Sequence, residues 1–131
     1  MKIFYNGYFN LPHSWASVSQ NMTQAFMALG HQCKVINCSP TGASNIPSQF
    51  KPILNKRFNH CDLSWAYTAP FNWAKRFKES CDFKAAMYAY ESSILPTNRP
   101  DTPWDENWGE MHRHIDRVLV PSKYVSQIFY F

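Results

Sequence analysis

The chain has 131 residues, the size of one ordinary domain, and a formal net charge of +4 from scattered basic residues. No basic stripe supports nucleic-acid binding, and no apolar run approaches the roughly 20 residues that span a bilayer. Peripheral contact with a membrane surface stays open. Aromatic residues make up 17% of the chain, so we expect it either to bury that surface or to offer part of it to a ligand or partner.

The four cysteines give no sign of a metal site. They form no Cys-x-x-Cys pair and lack the close clustering of zinc ligands. No signal peptide precedes them, so we expect reduced thiols in a cytoplasmic protein rather than a disulfide framework. They are Cys33, Cys38, Cys61 and Cys81.

The first predicted strand runs from Lys2 to Tyr8 and breaks at Asn6-Gly7. A glycine directly after a strand lets the backbone turn sharply and approach a ligand closely, as phosphate and sugar loops of α/β proteins do. The chain has no Gly-x-Gly-x-x-Gly, which disfavours a dinucleotide site. We expect no bound cofactor.

The first helix is predicted to begin at Ser14, which can cap it, and to end at Gly30. Its free N–H groups face the same side of the sheet as the glycine loop, so Ser14, Trp15 and Ala16 are candidates to receive an anionic or hydroxylated ligand. His13, in the preceding loop, is a further candidate to reach this cleft. The apolar stripe at three- and four-residue steps is Trp15, Val18, Met22, Phe26 and Leu29.

The apolar pattern in the middle of the chain predicts two more strands, His31 to Asn37 and Leu63 to Thr68. Residues 40–60 are rich in Pro, Ser, Asn and Lys, and a short helix is expected from Pro52. Asn72 then caps another short helix with an apolar face and a solvated basic face. The apolar face is Trp73, Phe77 and Cys81, and the basic face is Lys75, Arg76 and Lys78.

The stretch from Ala85 to Pro96 contains the candidate catalytic residue. An apolar strand is predicted from Asp82 to Tyr90 and ends abruptly in Glu91-Ser92. A carboxylate there stands at the carboxyl end of a central strand, where open α/β sheets bind their ligands. We therefore take Glu91 as the candidate catalytic group and Ser92 as a binding residue. The alternative is that Glu91 only caps the following turn.

The last third adds a helix, a short strand and the start of another helix. Thr102 caps the first of these helices, the strand is Val118-Leu119-Val120, and Ser122 caps the final helix. The alternation predicts a layered α/β domain with a mainly parallel sheet of about five strands. Right-handed crossovers then place Gly7, the start of the first helix and Glu91 on one rim.

Five stretches of the chain, together with a tryptophan-containing helix, carry a resemblance to one known family. They are Asn6-Gly7-Tyr8, Ser14-Trp15-Ala16, Ala28-Leu29-Gly30-His31, Tyr90-Glu91-Ser92 with Pro96, and the run from Asp116 to Tyr124, Asp-Arg-Val-Leu-Val-Pro-Ser-Lys-Tyr. These stretches resemble the N-terminal lobe of family 4 glycosyltransferases of the GT-B architecture. The resemblance implies that residues 1–131 form a Rossmann-like three-layer domain, the N-terminal half of a GT-B fold.

This resemblance also implies a function. Such enzymes move a sugar from a nucleotide-sugar donor to an acceptor with retention of configuration, usually without a metal. It implies that Gly7 and Tyr8 line the cleft near the donor phosphates or the reacting sugar. Ser14 and Trp15 would contact acceptor or donor groups, and Glu91 would project into the cleft.

The same resemblance implies a donor-binding C-terminal lobe that these 131 residues lack. We therefore expect an acceptor-binding lobe with little or no transferase activity by itself. One alternative is a non-catalytic α/β module that uses the same rim to bind a carbohydrate or a protein partner. A purely structural domain would give the rim no role.

Overall fold

A computed structural model describes residues 1–10, 14–39, 45–69, 73–88 and 111–123 of the chain. The helices are α1 (Ser14–Ala28) and α2 (Trp73–Arg76), with two short 3₁₀ helices at Ser48–Ile53 and His112–His114. No helix in these ranges has the length and apolar content that crossing a bilayer requires. The strands are β1 (Lys2–Gly7), β2 (Gln32–Asn37), β3 (Cys61–Tyr67), β4 (Cys81–Met87) and β5 (Arg117–Leu119).

The strands form one five-stranded sheet in the order β2-β1-β3-β4-β5, and every neighbouring pair is parallel. The chain first adds β2 on one side of β1, then returns to add β3, β4 and β5 on the other side. The order therefore reverses between β1 and β3, which is the switch point of this sheet. Helices pack on both faces, so the predicted Rossmann-like α/β fold with a mainly parallel sheet is confirmed.

The outer edge of β2 is partly covered by the chain after the first 3₁₀ helix. Val35 and Leu54 form an isolated parallel bridge, and the Asn55 N–H donates to the Val35 carbonyl at 2.7 Å. Phe50, in that 3₁₀ helix, is buried against the α1 face of the sheet. The short helix expected from Pro52 begins earlier than predicted, at Ser48. The burial of Phe50 in the core accounts for this earlier start.

The residues of helix α1 that are fully buried against the sheet are small, and its larger apolar residues pack around them. Its fully buried side chains are Ala16, Ser19 and Thr23. Four members of the predicted stripe lie partly buried beside them, but Leu29 is 73% exposed, so its predicted burial is wrong. The reason is that α1 ends at Ala28, and Leu29 lies beyond the last turn that faces the sheet.

The close approach of Gly7 to α1 explains why the helix carries a small residue, Ser19, at this contact. A Cβ added there would lie 2.6 Å from Ser19 Oγ and 2.7 Å from the ring of Tyr5, closer than real Cβ contacts come. Gly7 is the last residue of β1, with no positive φ, and its main chain pairs with Asn37 and Tyr67 on the two neighbouring strands. The missing side chain therefore lets α1 lie close against the end of β1.

The opposite face of the sheet is built around Trp73. This ring is fully buried, and its Nε1 donates to the carbonyl of Thr68 at 3.2 Å. Phe77 lies against it, as predicted, at 6.3 Å between ring centroids. The prediction that Cys81 shares this helix face is wrong, because α2 ends at Arg76 and Cys81 begins β4.

Several predicted elements fall partly or wholly outside the described residues. Strand β4 ends at Met87, and the last predicted strand residues lie among the undescribed ones. The helix predicted from Thr102 is described only from Met111, which is buried against the Trp73 side of the sheet. The strand after it is confirmed as β5, which begins one residue earlier than predicted, at Arg117.

Replacing Gly7 by alanine is expected to lower the free energy of unfolding by about 1–3 kcal/mol, because the added methyl group overlaps Ser19 and Tyr5. Denaturant unfolding followed by circular dichroism measures this change. Gly30→Asn is the matched control: Gly30 has φ +84°, nothing lies within 4 Å of an added Cβ, and asparagine tolerates this conformation. Equal stability of Gly7→Ala and the wild type would contradict the packing argument.

Candidate functional site at the carboxyl edge of the sheet

The carboxyl ends of β1 and β3 form the candidate site. In open α/β sheets a crevice opens at the carboxyl edge where the strand order reverses, because the loops leaving the two strands diverge there. Here the chain leaves β1 through Tyr8, Phe9 and Asn10, and it leaves β3 through Thr68 and Ala69. Helix α1 begins beside the same edge.

Three aromatic rings, each from a different part of the fold, lie side by side along this edge. The rings of Tyr8 and Trp15 are 5.5 Å apart between centroids, and Trp15 and Tyr67 are also 5.5 Å apart. Tyr8 and Trp15 are half-buried, whereas Tyr67 is only 7% exposed. We call Tyr8, Trp15 and Tyr67 the aromatic row. It brings together apolar ring surface and phenol or indole polar atoms, a combination that suits ligand pockets.

The loop that carries Tyr8 is held on both sides. The side-chain oxygen of Asn37 accepts a hydrogen bond from the Phe9 N–H at 3.1 Å, and Gln20 Nε2 donates to the Phe9 carbonyl at 2.6 Å. The Phe9 ring is fully buried and makes an edge contact with Phe50. These contacts hold the main chain next to Tyr8 in place.

Arg76 supplies positive charge near the row. Its carbonyl accepts a hydrogen bond from Asn6 Nδ2 at 3.5 Å, which ties the end of α2 to β1. Burial raises the pKa of Tyr8 and the Arg76 guanidinium partly opposes that rise. The same two causes act on Cys38, where burial dominates and raises the pKa to about 11. In the described ranges no carboxylate lies within ion-pair distance of Arg76, and its Nε is buried without a hydrogen-bond partner.

Thr68 adds a buried hydroxyl at the end of β3. The residue is 1% exposed, and within the described part of the chain its Oγ1 has no hydrogen-bond partner. Its carbonyl is already occupied by Trp73. The carbonyl of Thr68 is therefore hydrogen-bonded within the core, whereas its hydroxyl has no partner among the described residues.

Three of the sequence-predicted site residues come together at this edge. Gly7 ends β1, and Tyr8 and Trp15 are in contact. Ser14 is exposed at the first residue of α1. His13, Glu91 and Ser92 lie outside the described residues, so their roles stay predictions.

Two residues at this edge were missed by the sequence analysis. Tyr67 carries a signal similar to that of Glu91, since it is the next-to-last residue of a predicted strand shortly before Pro70. Arg76 was assigned to the solvated face of its helix together with Lys75 and Lys78. Those two lysines are exposed, but Arg76 is half-buried.

A cavity of about 440 Å³ lies at the opposite, amino edge of the sheet. Several of its polar groups already have partners: Arg57 forms an ion pair with Glu79, Lys34 Nζ donates to the Arg57 carbonyl at 2.8 Å, and an Asp62 oxygen accepts the Lys2 main-chain N–H at 2.6 Å. We therefore interpret it as a hydrogen-bonded corner of the fold. It is lined by Lys2, Lys34, Arg57, Phe58, Asn59, His60 and Asp62.

No protein family, curated protein or solved structure matches this chain. The resemblance to family 4 glycosyltransferases therefore stays a prediction that rests on the five sequence stretches. Within the described ranges, no three His, Cys, Asp or Glu side chains are grouped as a metal site.

Replacing Arg76 by glutamine is expected to raise the pKa of Tyr8 further, because it removes the charge that favours the phenolate and leaves the burial that disfavours it. A pH titration of ¹³Cζ-labelled tyrosine by NMR measures this pKa. Lys75→Gln is the control, since Lys75 is exposed on the same helix and does not act on Tyr8. A Tyr8 pKa that is unchanged or lowered in Arg76→Gln would place the guanidinium away from this edge.

Proposed function

We propose that this chain is the acceptor-binding lobe of a retaining glycosyltransferase, and that a sugar binds at its carboxyl edge between β1 and β3. The observation that carries the proposal is the aromatic row at the switch point. The family resemblance supports the same place, because Tyr8 and Trp15 also stand in two of the stretches that carry it. Both lines lead to Tyr8 and Trp15.

The aromatic row suits a sugar for a chemical reason. A sugar ring has faces made of C–H groups and a rim of hydroxyl groups, so it packs on an aromatic ring while its rim needs hydrogen bonds. Tyr8 and Trp15 are half-buried, which leaves part of each ring accessible. Their polar atoms, with the backbone groups of the loop after β1, supply donors and acceptors around that surface.

The charge at the edge fits a nucleotide-sugar donor as the second substrate. The phosphates of such a donor are anionic, and Arg76 places a cation near Tyr8 that no described carboxylate neutralises. A guanidinium binds phosphate oxygens through two parallel N–H groups. In this proposal the chain binds and orients the acceptor, and a second lobe carries the main donor site.

One observation favours a second candidate, a non-catalytic module that binds carbohydrate. Among the described residues of the carboxyl edge there is no Asp or Glu, so this part of the site provides binding surface without an acid or base. Two findings would decide for the transferase. One is a neighbouring coding sequence for a second α/β lobe with a Glu-x(7)-Glu pattern, and the other is transfer of a labelled sugar when that lobe is added.

Trp15→Leu and Tyr8→Leu are each expected to weaken sugar binding by about tenfold, since each loses one stacking surface worth roughly 1.4 kcal/mol. NMR titration with the methyl glycosides of glucose, galactose and N-acetylglucosamine measures the affinity. Phe58→Leu is the matched control, because Phe58 is a half-buried aromatic at the amino edge. Equal losses in all three variants, or no binding by the wild type, would contradict the proposal.

Glu91→Gln tests the predicted catalytic residue separately. If the carboxylate contacts the sugar, this variant is expected to bind the same glycosides more weakly while its thermal unfolding midpoint stays unchanged. If Glu91 only caps a turn, the midpoint falls and the affinity does not change. Gly7 substitutions are unsuitable for this purpose, because the contact with Ser19 makes them destabilising whatever binds nearby.

A further inference from the structure

Two cysteines are paired in register at the amino ends of β3 and β4. Cys61 begins β3, Cys81 begins β4, and the two are ladder partners on adjacent parallel strands. Neighbouring strands lie about 4.8 Å apart, and a disulfide usually joins Cα atoms that are roughly 4.4–6.8 Å apart. Ladder partners also point to the same face of a sheet. The spacing and the direction of these two side chains therefore suit a bond between them.

The surrounding contacts hold the two strand starts side by side. The Cys61 N–H donates to the Ser80 carbonyl at 3.1 Å, and the Cys61 Sγ donates to the same carbonyl at 3.7 Å. His60 spans the same two strands, with its Nδ1 2.8 Å from Ser80 Oγ and its Nε2 2.9 Å from an Asp82 carboxylate oxygen. Contacts on both flanks of the pair thus limit relative movement of the two strand starts.

We propose that Cys61 and Cys81 are a thiol pair that closes to an intramolecular disulfide by exchange with a small-molecule disulfide. Cys81 is the more exposed of the two, so its thiolate attacks the small-molecule disulfide first, forming a mixed disulfide and releasing one thiolate. The thiolate of Cys61 then attacks the Cys81 sulfur and releases the second. The protein loses two hydrogens, and the small-molecule disulfide is reduced to two thiols.

The same environment makes this exchange slow at neutral pH. Burial raises the pKa of Cys61 to about 12 and also raises the pKa of Cys81, against which Lys84 acts as a nearby cation. Because the thiolate is the nucleophile, raising the pH accelerates closure. The pair is therefore expected to close faster as the pH rises.

Cys33 and Cys38 provide the internal comparison. Cys33 is buried and its ladder partner on β1 is Ile3, while Cys38 lies beyond the end of β2, where its N–H donates to the Gly7 carbonyl at 2.7 Å. Neither has a cysteine as a ladder partner. The geometry thus distinguishes one pair from the other cysteine combinations.

The test uses the unmodified chain. The protein is incubated with oxidised glutathione at pH values of about 8.5 and about 9.5, because both thiols have a raised pKa and the thiolate fraction increases with pH, and it is then alkylated and digested with trypsin. All four cysteines fall in different tryptic peptides, and we expect residues 58–75 to be joined to residues 79–84. Free thiols under denaturing conditions should fall from four to two, and dithiothreitol should restore all four.

Variants keep the outcome interpretable. The double variant Cys33→Ala, Cys38→Ser should still close its remaining pair, and the oxidised wild type should melt at a higher temperature than the reduced form because the closed loop constrains the unfolded chain. Four free thiols after oxidation, a stable glutathione adduct on Cys81, or a link that includes Cys33 or Cys38 would each overturn the proposal.

Discussion

The close contact of α1 with the end of β1 is the constraint on which the rest of the structure depends. At Gly7 there is no space for even one methyl group, because Ser19 and the Tyr5 ring occupy it. This contact fixes how far α1 lies from the sheet, and so where its first turn places Trp15. Because Trp15 lies at this distance from the sheet, its ring contacts both Tyr8 and Tyr67. A packing requirement inside the domain therefore sets the geometry of its surface edge.

Most of the fold could be predicted from the sequence, because alternating short apolar runs and an amphipathic helix have few ways to form a layered domain. The predictions were wrong where the spacing of apolar residues identifies one face of a helix but does not show where the helix ends. Leu29 continues the spacing of α1 yet lies past its last turn, and Cys81 continues the spacing of α2 yet belongs to β4. In both cases tertiary contacts determine where the helix stops, and periodicity carries no information about them.

The candidate site was predictable in part, for a similar reason. Tyr8 and Trp15 stand next to a strand end and a helix start, which local signals mark well. Tyr67 comes beside them through the pairing of Gly7 with Tyr67 across β1 and β3, a register that no local signal reveals. The position of Arg76 depends on a one-turn helix whose orientation is set by Trp73 and Asn6, so its sequence pattern alone suggested a solvated charge.

The bridge between Val35 and Leu54 has a consequence for how the molecule behaves at high concentration. Strand β2 is an outer strand of the sheet, and an outer strand with free N–H and C=O groups invites pairing with another copy of the chain. Leu54 and Asn55 occupy part of that backbone, and the strand at the other side, β5, is only three residues long. Within the described residues, the free backbone edge of the sheet is thus shortened on both sides, which lowers its tendency to pair edge to edge with another copy.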